Sequence, residues 1–341
     1  MSESNLDSWS KEELLAELRH RQRRVGAPPA TRAGGGPKGL HPDLDDVTNS
    51  RLASVLRDRQ RVVYGTDDRQ DLFAVKSKKV HAVSNAVAAL VKASDLREQA
   101  DGRFELRTSS YAAEFELCGN EPFASQPLGC FCSGFLVGPD VVATAGHCVK
   151  SAADLASLRF VFGFRMKDAQ TANTSFAADD VYEGKAIIGR QMVSDGPDWA
   201  LARLKRAVAG RTPVALRTKG KIANKQSVFV IGHPNGLPAK YAPKAKVRDN
   251  TPGTFFVANL DTYGGNSGSP VFGAGSYKVE GILVRGENDF VSNGSCNVSL
   301  VCPTTGCRGE DVTRSTVWAG KVPKASVTPK YRPGERRPKR R

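Results

Sequence analysis

The chain has 341 residues, 40% of them hydrophobic and 25% charged, which is long enough for one large domain or two small barrels packed together. Its net charge of +15 is uneven: residues 321–341 carry +8 and residues 1–41 only +2, so the basicity is mostly a property of the tail and makes nucleic acid an unlikely partner. No stretch approaches the roughly 20 apolar residues of a membrane span, and the polar, charged start has no apolar core of a secretory signal.

Taken in order, residues 10–24 read as a capped amphipathic helix. Ser10 and Glu13 form a capping box, with Trp9 and Leu14 as the hydrophobic staple around it. Leu14, Leu15 and Leu18 give a narrow apolar stripe, and Arg19–Arg24 place positive charge at the C-terminal end. This helix (1–25) either docks a regulatory protein partner or packs on its own protein. Residues 26–46 are a linker rich in Gly, Pro and Ala. A second short helix is expected over 47–60, a strand at 62–64, and a helix over 79–93 from Val80, Val83, Val87, Leu90 and Val91.

From Phe131 the pattern changes to short β runs separated by turns: 131–137, 141–144, 158–164, 186–188, 200–204, 228–231, 254–260, 270–272 and 279–284. With 33 glycines and 19 prolines, many short strands imply an all-β sandwich or barrels. Residues 322–341 are Pro- and Lys/Arg-rich and read as a disordered tail, one that either binds acidic surfaces or simply stays solvated.

Three stretches carry chemistry. They are Ala143-Thr144-Ala145-Gly146-His147-Cys148, Asp198-Trp199-Ala200-Leu201 and Gly264-Gly265-Asn266-Ser267-Gly268-Ser269-Pro270. A serine hydroxyl is a poor nucleophile at neutral pH; it needs a base and a group to orient that base. His147 is the candidate base, Asp198 the orienter and Ser267 the nucleophile. The apolar run after Asp198 reads as a buried strand that keeps the carboxylate from bulk water. The backbone N–H groups of Gly265 and Ser267 can converge on one point as an oxyanion hole. Each residue alone has an ordinary structural reading; the three contexts together favour catalysis. The order His, Asp, Ser and the Ser at 269 exclude the G-x-S-x-G nucleophile elbow.

These three stretches resemble the signatures of the trypsin/chymotrypsin clan, most closely its bacterial branch with the glutamyl endopeptidases. The resemblance covers about residues 62–321. It implies two six-stranded antiparallel β-barrels with the active site in the cleft between them, His147 and Asp198 from the first and Ser267 from the second. It implies a serine endopeptidase acting on protein substrates without a cofactor or metal, within a protease domain over 47–321 whose barrels meet near 205–225. It also implies a disulfide between Cys132 and Cys148 in an oxidising environment.

Two departures from that pattern stand out. Asn266 replaces the Asp that trypsin-type zymogens use to capture a freed N-terminus, so activation by that ion pair is not expected. Leu283 replaces a His of the glutamyl endopeptidases, so preference for Glu is in doubt. The resemblance implies substrate-binding roles for Asp261, Thr262, Val284, Arg285 and Gly286. Asp261 either accepts a basic side chain or closes a turn; Val284–Gly286 form an edge for substrate backbone. Cys296, Cys302 and Cys307 lack zinc spacing, and a disulfide with Cys118 or Cys130, or buried thiols, is favoured over metal. The competing function is an idle protease-like module that binds an acidic partner or nucleic acid through its tail. The expected location is the cytoplasm, with secretion by a route not visible in the sequence as the alternative.

Overall fold

The computed structural model describes Glu17 and residues 63–65, 67–193, 195–285, 290–292, 295–303 and 307–324. The helices expected over 10–24 and 47–60, the linker and most of the basic tail lie outside these, apart from Glu17, which is helical and buried.

Six strands close the first barrel: β1 Val87–Lys92, β2 Cys132–Gly138, β3 Val141–Thr144, β4 Leu158–Phe162, β5 Val181–Met192 and β6 Asp198–Leu204. They run in the order β4-β5-β6-β3-β2-β1, and β1 pairs back onto β4, antiparallel throughout. Every residue of β2 and β3 is buried, which is why their sequences are almost wholly apolar or small. Closure leaves no free edge among these strands.

A second ring follows the connecting stretch after Leu204. Its strands are β7 Ser227–Gly232, β8 Lys240–Asp249, β9 Phe255–Ala258, β10 Pro270–Gly273, β11 Val279–Arg285 and β12 Glu310–Arg314. They run β7-β10-β11-β12-β9-β8, and β8 pairs back onto β7. Val228, Val230, Val247, Phe256, Val271, Leu283 and Val312 pack in one apolar cluster inside it. Phe229, Ile231, Phe272 and Ile282 instead join a cluster with Leu90, Phe135, Val142 and Leu201 of the first barrel. The two barrels therefore share an apolar seam.

The helix expected over 79–93 is two elements. Helix α1, Lys78–Ser84, starts where Ser77 Oγ accepts the Val80 N–H, and Asn85 ends it. Val87, Leu90 and Val91 belong to β1, where Val87–Val91 are all buried. A short run buried on both faces has no period to separate strand from helix. Strands β8 and β12 are elements that apolar patterning did not reveal, because both carry buried charge. Lys240 in β8 lies 2.5 Å from Asp71 and 2.5 Å from the Gln126 side-chain oxygen, and burial lowers its pKa to about 8. Asp71 sits in the two-residue strand Gln70–Asp71, which adds to the outer edge of β8.

Candidate active site

The pairing of β3 with β6, Thr144 opposite Ala200, brings the end of one strand beside the start of the other. His147 follows β3 and Asp198 opens β6, so their side chains meet. His147 Nδ1 lies 2.6 Å from Asp198 Oδ2. The other carboxylate oxygen accepts the backbone N–H groups of Gly146 at 2.5 Å and His147 at 3.1 Å. The Asp198 N–H donates to Thr313 Oγ1 of β12 at 3.0 Å, so the second barrel also holds this residue. The Asp198 side chain is 4% exposed and that of His147 is 29% exposed. Burial pushes the Asp198 carboxyl up, but the charge and hydrogen bond of His147, the charge of Arg285 and the Gly146 amide together hold it below the ordinary carboxylate range.

Gly146 is required at its place. A Cβ there would stand 2.3 Å from the Gln191 carbonyl and 2.8 Å from Asp198 Oδ1. The Gly in the Ala-Gly-His stretch is thus what lets the backbone approach the acid.

Ser267 lies in the turn that enters β10. Its carbonyl accepts the Ser133 N–H of β2 at 2.8 Å and lies 3.8 Å from Cys148 Sγ, one residue from His147. The neighbouring Gly268 has φ +87°, and a Cβ on it would stand 2.0 Å from the Ser133 carbonyl and 2.4 Å from Thr144 Oγ1. The turn bearing Ser267 is therefore pressed against the first barrel beside the end of β3. The structure brings His147, Asp198 and the Ser267 turn into one locality.

Gly265 has φ +75°, and a Cβ there would stand 2.7 Å from the Gly236 nitrogen. The Gly264 carbonyl accepts the Asn235 N–H. Across a trans peptide this turns the Gly265 N–H the opposite way. Asn235 is itself left-handed, φ 51°, and its amide donates to Tyr111 Oη at 3.2 Å. Asn266 is buried and accepts the Ser269 hydroxyl at 3.2 Å.

Cys132 and Cys148 form a disulfide with an S–S distance of 2.03 Å. These sulfurs and a ring nitrogen of His147 lie within 4.8 Å of one another, but bonded sulfurs are not thiolates and offer no metal site. Cys118 pairs with Cys296 and Cys302 with Cys307, while Cys130 is a free thiol.

The residues expected to bind substrate are placed unequally. Asp261 is buried, and its carboxylate accepts the N–H groups of Tyr64 at 2.7 Å and Asp68 at 3.3 Å. Thr262 is fully buried, and its hydroxyl has no hydrogen-bond partner among the described residues. Val284 is buried in β11. Arg285 turns its side chain to Asp311 and to the 193–197 hairpin. Gly286 lies outside the described residues. Asp261 also borders a cleft of about 480 Å³ lined by Tyr64, Asp68, Pro243 and Lys244.

Sequence reasoning missed Ser133, Thr313 and Asn235, which hold the Ser267 turn, Asp198 and Gly264 from other strands and turns. Nothing local marks them, because their partners are distant in the chain. Among the described residues no helix is long and apolar enough to cross a membrane.

Residues 132–282 match the family model of the trypsin-like peptidase domain. No curated protein matches the sequence. Among solved structures, the VesB protease of Vibrio cholerae is 14% identical, with 76% of this chain and 66% of that one covered and a TM-score of 0.44, so the match spans just under two thirds of its length. A Glu endopeptidase in complex with MPD is 16% identical, with 75% and 96% covered and a TM-score of 0.42. Residues 132–282 are thus similar to the trypsin-like peptidase domain, and the described strands close into two six-stranded antiparallel rings, the architecture of the chymotrypsin-like fold.

Proposed function

We propose that the protein is a serine endopeptidase that cleaves protein chains through an acyl-enzyme. The observation that carries this reading is the 2.6 Å contact of His147 Nδ1 with a buried Asp198, beside the turn of Ser267. Ser267 Oγ attacks the scissile carbonyl carbon as its proton passes to His147 Nε2. The oxyanion is received by the Gly265 and Ser267 N–H groups. Collapse breaks the C–N bond, and His147 returns the proton to the leaving amine. Water, deprotonated by the same imidazole, then hydrolyses the ester. Asp198 accepts the Nδ1–H, fixes the tautomer and stabilises the imidazolium.

Asp261 spends its lone pairs on the backbone at 64–68, which favours its structural role over pairing with a basic substrate side chain. The preferred residue at the cleavage site is read most directly by profiling cuts in a proteome-derived peptide mixture. Sequence-specific cutting that disappears in Ser267→Ala supports the endopeptidase; no cutting of any peptide sinks it. Three disulfides favour an oxidising compartment over the cytoplasm as the working location.

A further inference from the structure

Arg285 closes β11 of the second barrel, yet its side chain reaches the first. Nη1 donates to the Val193 carbonyl at 3.2 Å and Nη2 to the Gly196 carbonyl at 2.8 Å. Nε donates to Asp311 Oδ2 of β12 at 3.0 Å, and the Asp311 side chain is 5% exposed. Arg308 pairs with the other oxygen of Asp311 at 2.6 Å, and the Arg285 guanidinium stands 5.6 Å from the Phe255 ring centroid. The fork is thus anchored on its own barrel and extended to the other.

The two carbonyls belong to the hairpin between β5 and β6. That hairpin is closed by the Val193 N–H on the Pro197 carbonyl at 3.1 Å and the Gly196 N–H on the Val193 carbonyl at 3.1 Å. Asp198 is the next residue. His147 and Asp198 come from one barrel and Ser267 from the other, so the triad works only if the barrels keep register. Near Asp198 that register is set by Thr313 Oγ1 on its N–H and by Arg285 on the hairpin before it. A lysine cannot reproduce three divergent donors in one plane.

We propose that Arg285 is a positioning residue of the triad, which clamps the 193–197 hairpin from the second barrel and so fixes Asp198 with respect to Ser267. The role rests on the triad reading above. It differs from a substrate contact, which would act on substrate binding.

The test compares wild type with Arg285→Met, Arg285→Lys and Asp311→Asn, measuring kcat, KM and backbone amide exchange over 193–198. A small misplacement of a catalytic group costs up to roughly a hundredfold in rate, so Arg285→Met is expected to lower kcat by roughly ten- to a hundredfold. KM should stay within about twofold, as for an interaction that acts on the transition state alone. Amide exchange in the hairpin should quicken. Arg285→Lys should recover part of kcat, and Asp311→Asn should lower it less than Arg285→Met. If Arg285→Met fails to fold, the Lys and Asn variants carry the test. A raised KM with unchanged kcat in Arg285→Met, or unchanged kcat and exchange in that variant while the wild type labels at Ser267, would overturn the clamp alone. A wild type that does not label at Ser267 would overturn the triad reading as well.

Discussion

Asp198 Oδ1 accepts the Gly146 N–H at 2.5 Å, and a Cβ on Gly146 would stand 2.8 Å from the same oxygen. The acid of the site is therefore seated on a backbone that has room only for glycine. Gly146→Ala must displace either Asp198 or the Gln191 carbonyl, which would lie 2.3 Å from the new methyl. Overpacking of this kind costs about 1–3 kcal/mol. The expected result is a lowered Tm together with a fall in kcat/KM of more than tenfold, read by calorimetry and peptide hydrolysis on the same preparation.

Asp198→Asn keeps the shape and removes the charge. The amide can donate where the carboxylate accepts, and this favours the wrong His147 tautomer. The effect of such a change in a triad is a drop of roughly 10⁴ in kcat. The fold should survive, since the Asp198 N–H still has Thr313 to donate to. Far-UV circular dichroism beside kcat separates loss of chemistry from loss of structure.

Asp261 gives a pH dependence of opposite sign to that of an ordinary ion-paired acid. Burial, with the carboxyl of Asp68 beside it, raises its pKa from 3.8 to about 7 against the opposing hydrogen bond from Tyr64. Between those values the folded protein holds a proton that the unfolded chain has lost. Its contribution to stability is therefore complete below pH 3.8 and is lost as pH rises through about 7. Asp261→Asn stays neutral throughout and should flatten the decline of Tm between about pH 4 and pH 7. The same variant should leave cleavage preference unchanged; loss of cutting after Lys or Arg would instead make Asp261 the base of the specificity pocket.

The cysteines give a count. Unreduced, denatured protein should take up one alkyl group, at Cys130, and reduced protein seven. Burial raises the Cys130 thiol far above its usual range, so the folded protein should resist alkylation. Replacing Cys132 and Cys148 by Ser opens a loop of sequence separation 16, and a closed loop of about that size is worth about 3 kcal/mol in the chain-entropy account. The urea midpoint should fall accordingly.

The candidate site was legible as a set of local motifs, because the chemistry proposed for it constrains sequence locally. The glycines at 146, 265 and 268 each stand where a Cβ would collide with backbone, so the Gly-His and Gly-Asn-Ser-Gly runs are steric requirements as well as signatures. Most strands were legible because apolar runs face a closed interior. The limits have physical causes too. Val87–Val91 is buried on both faces and carries no period. Strand β12 reads Glu-Asp-Val-Thr-Arg and is wholly buried; Asp311 is matched there by Arg285 and Arg308, and Arg314 is received by Asn250 and Pro252. Apart from Arg308, three residues before Asp311, only the folded chain brings those partners together. Arg285 shows the same limit: its place on β11 indicated an edge for substrate, and only the fold turns its side chain to the hairpin before Asp198.

The central claim is that Ser267 is a nucleophile activated by His147. A fluorophosphonate probe reacts preferentially with such a serine, and peptide mapping locates the adduct. The account predicts one phosphonylated peptide carrying Ser267, with labelling abolished in Ser267→Ala and strongly slowed in Asp198→Asn. Labelling that persists undiminished in Ser267→Ala, or a folded wild type that takes up no probe, would contradict it.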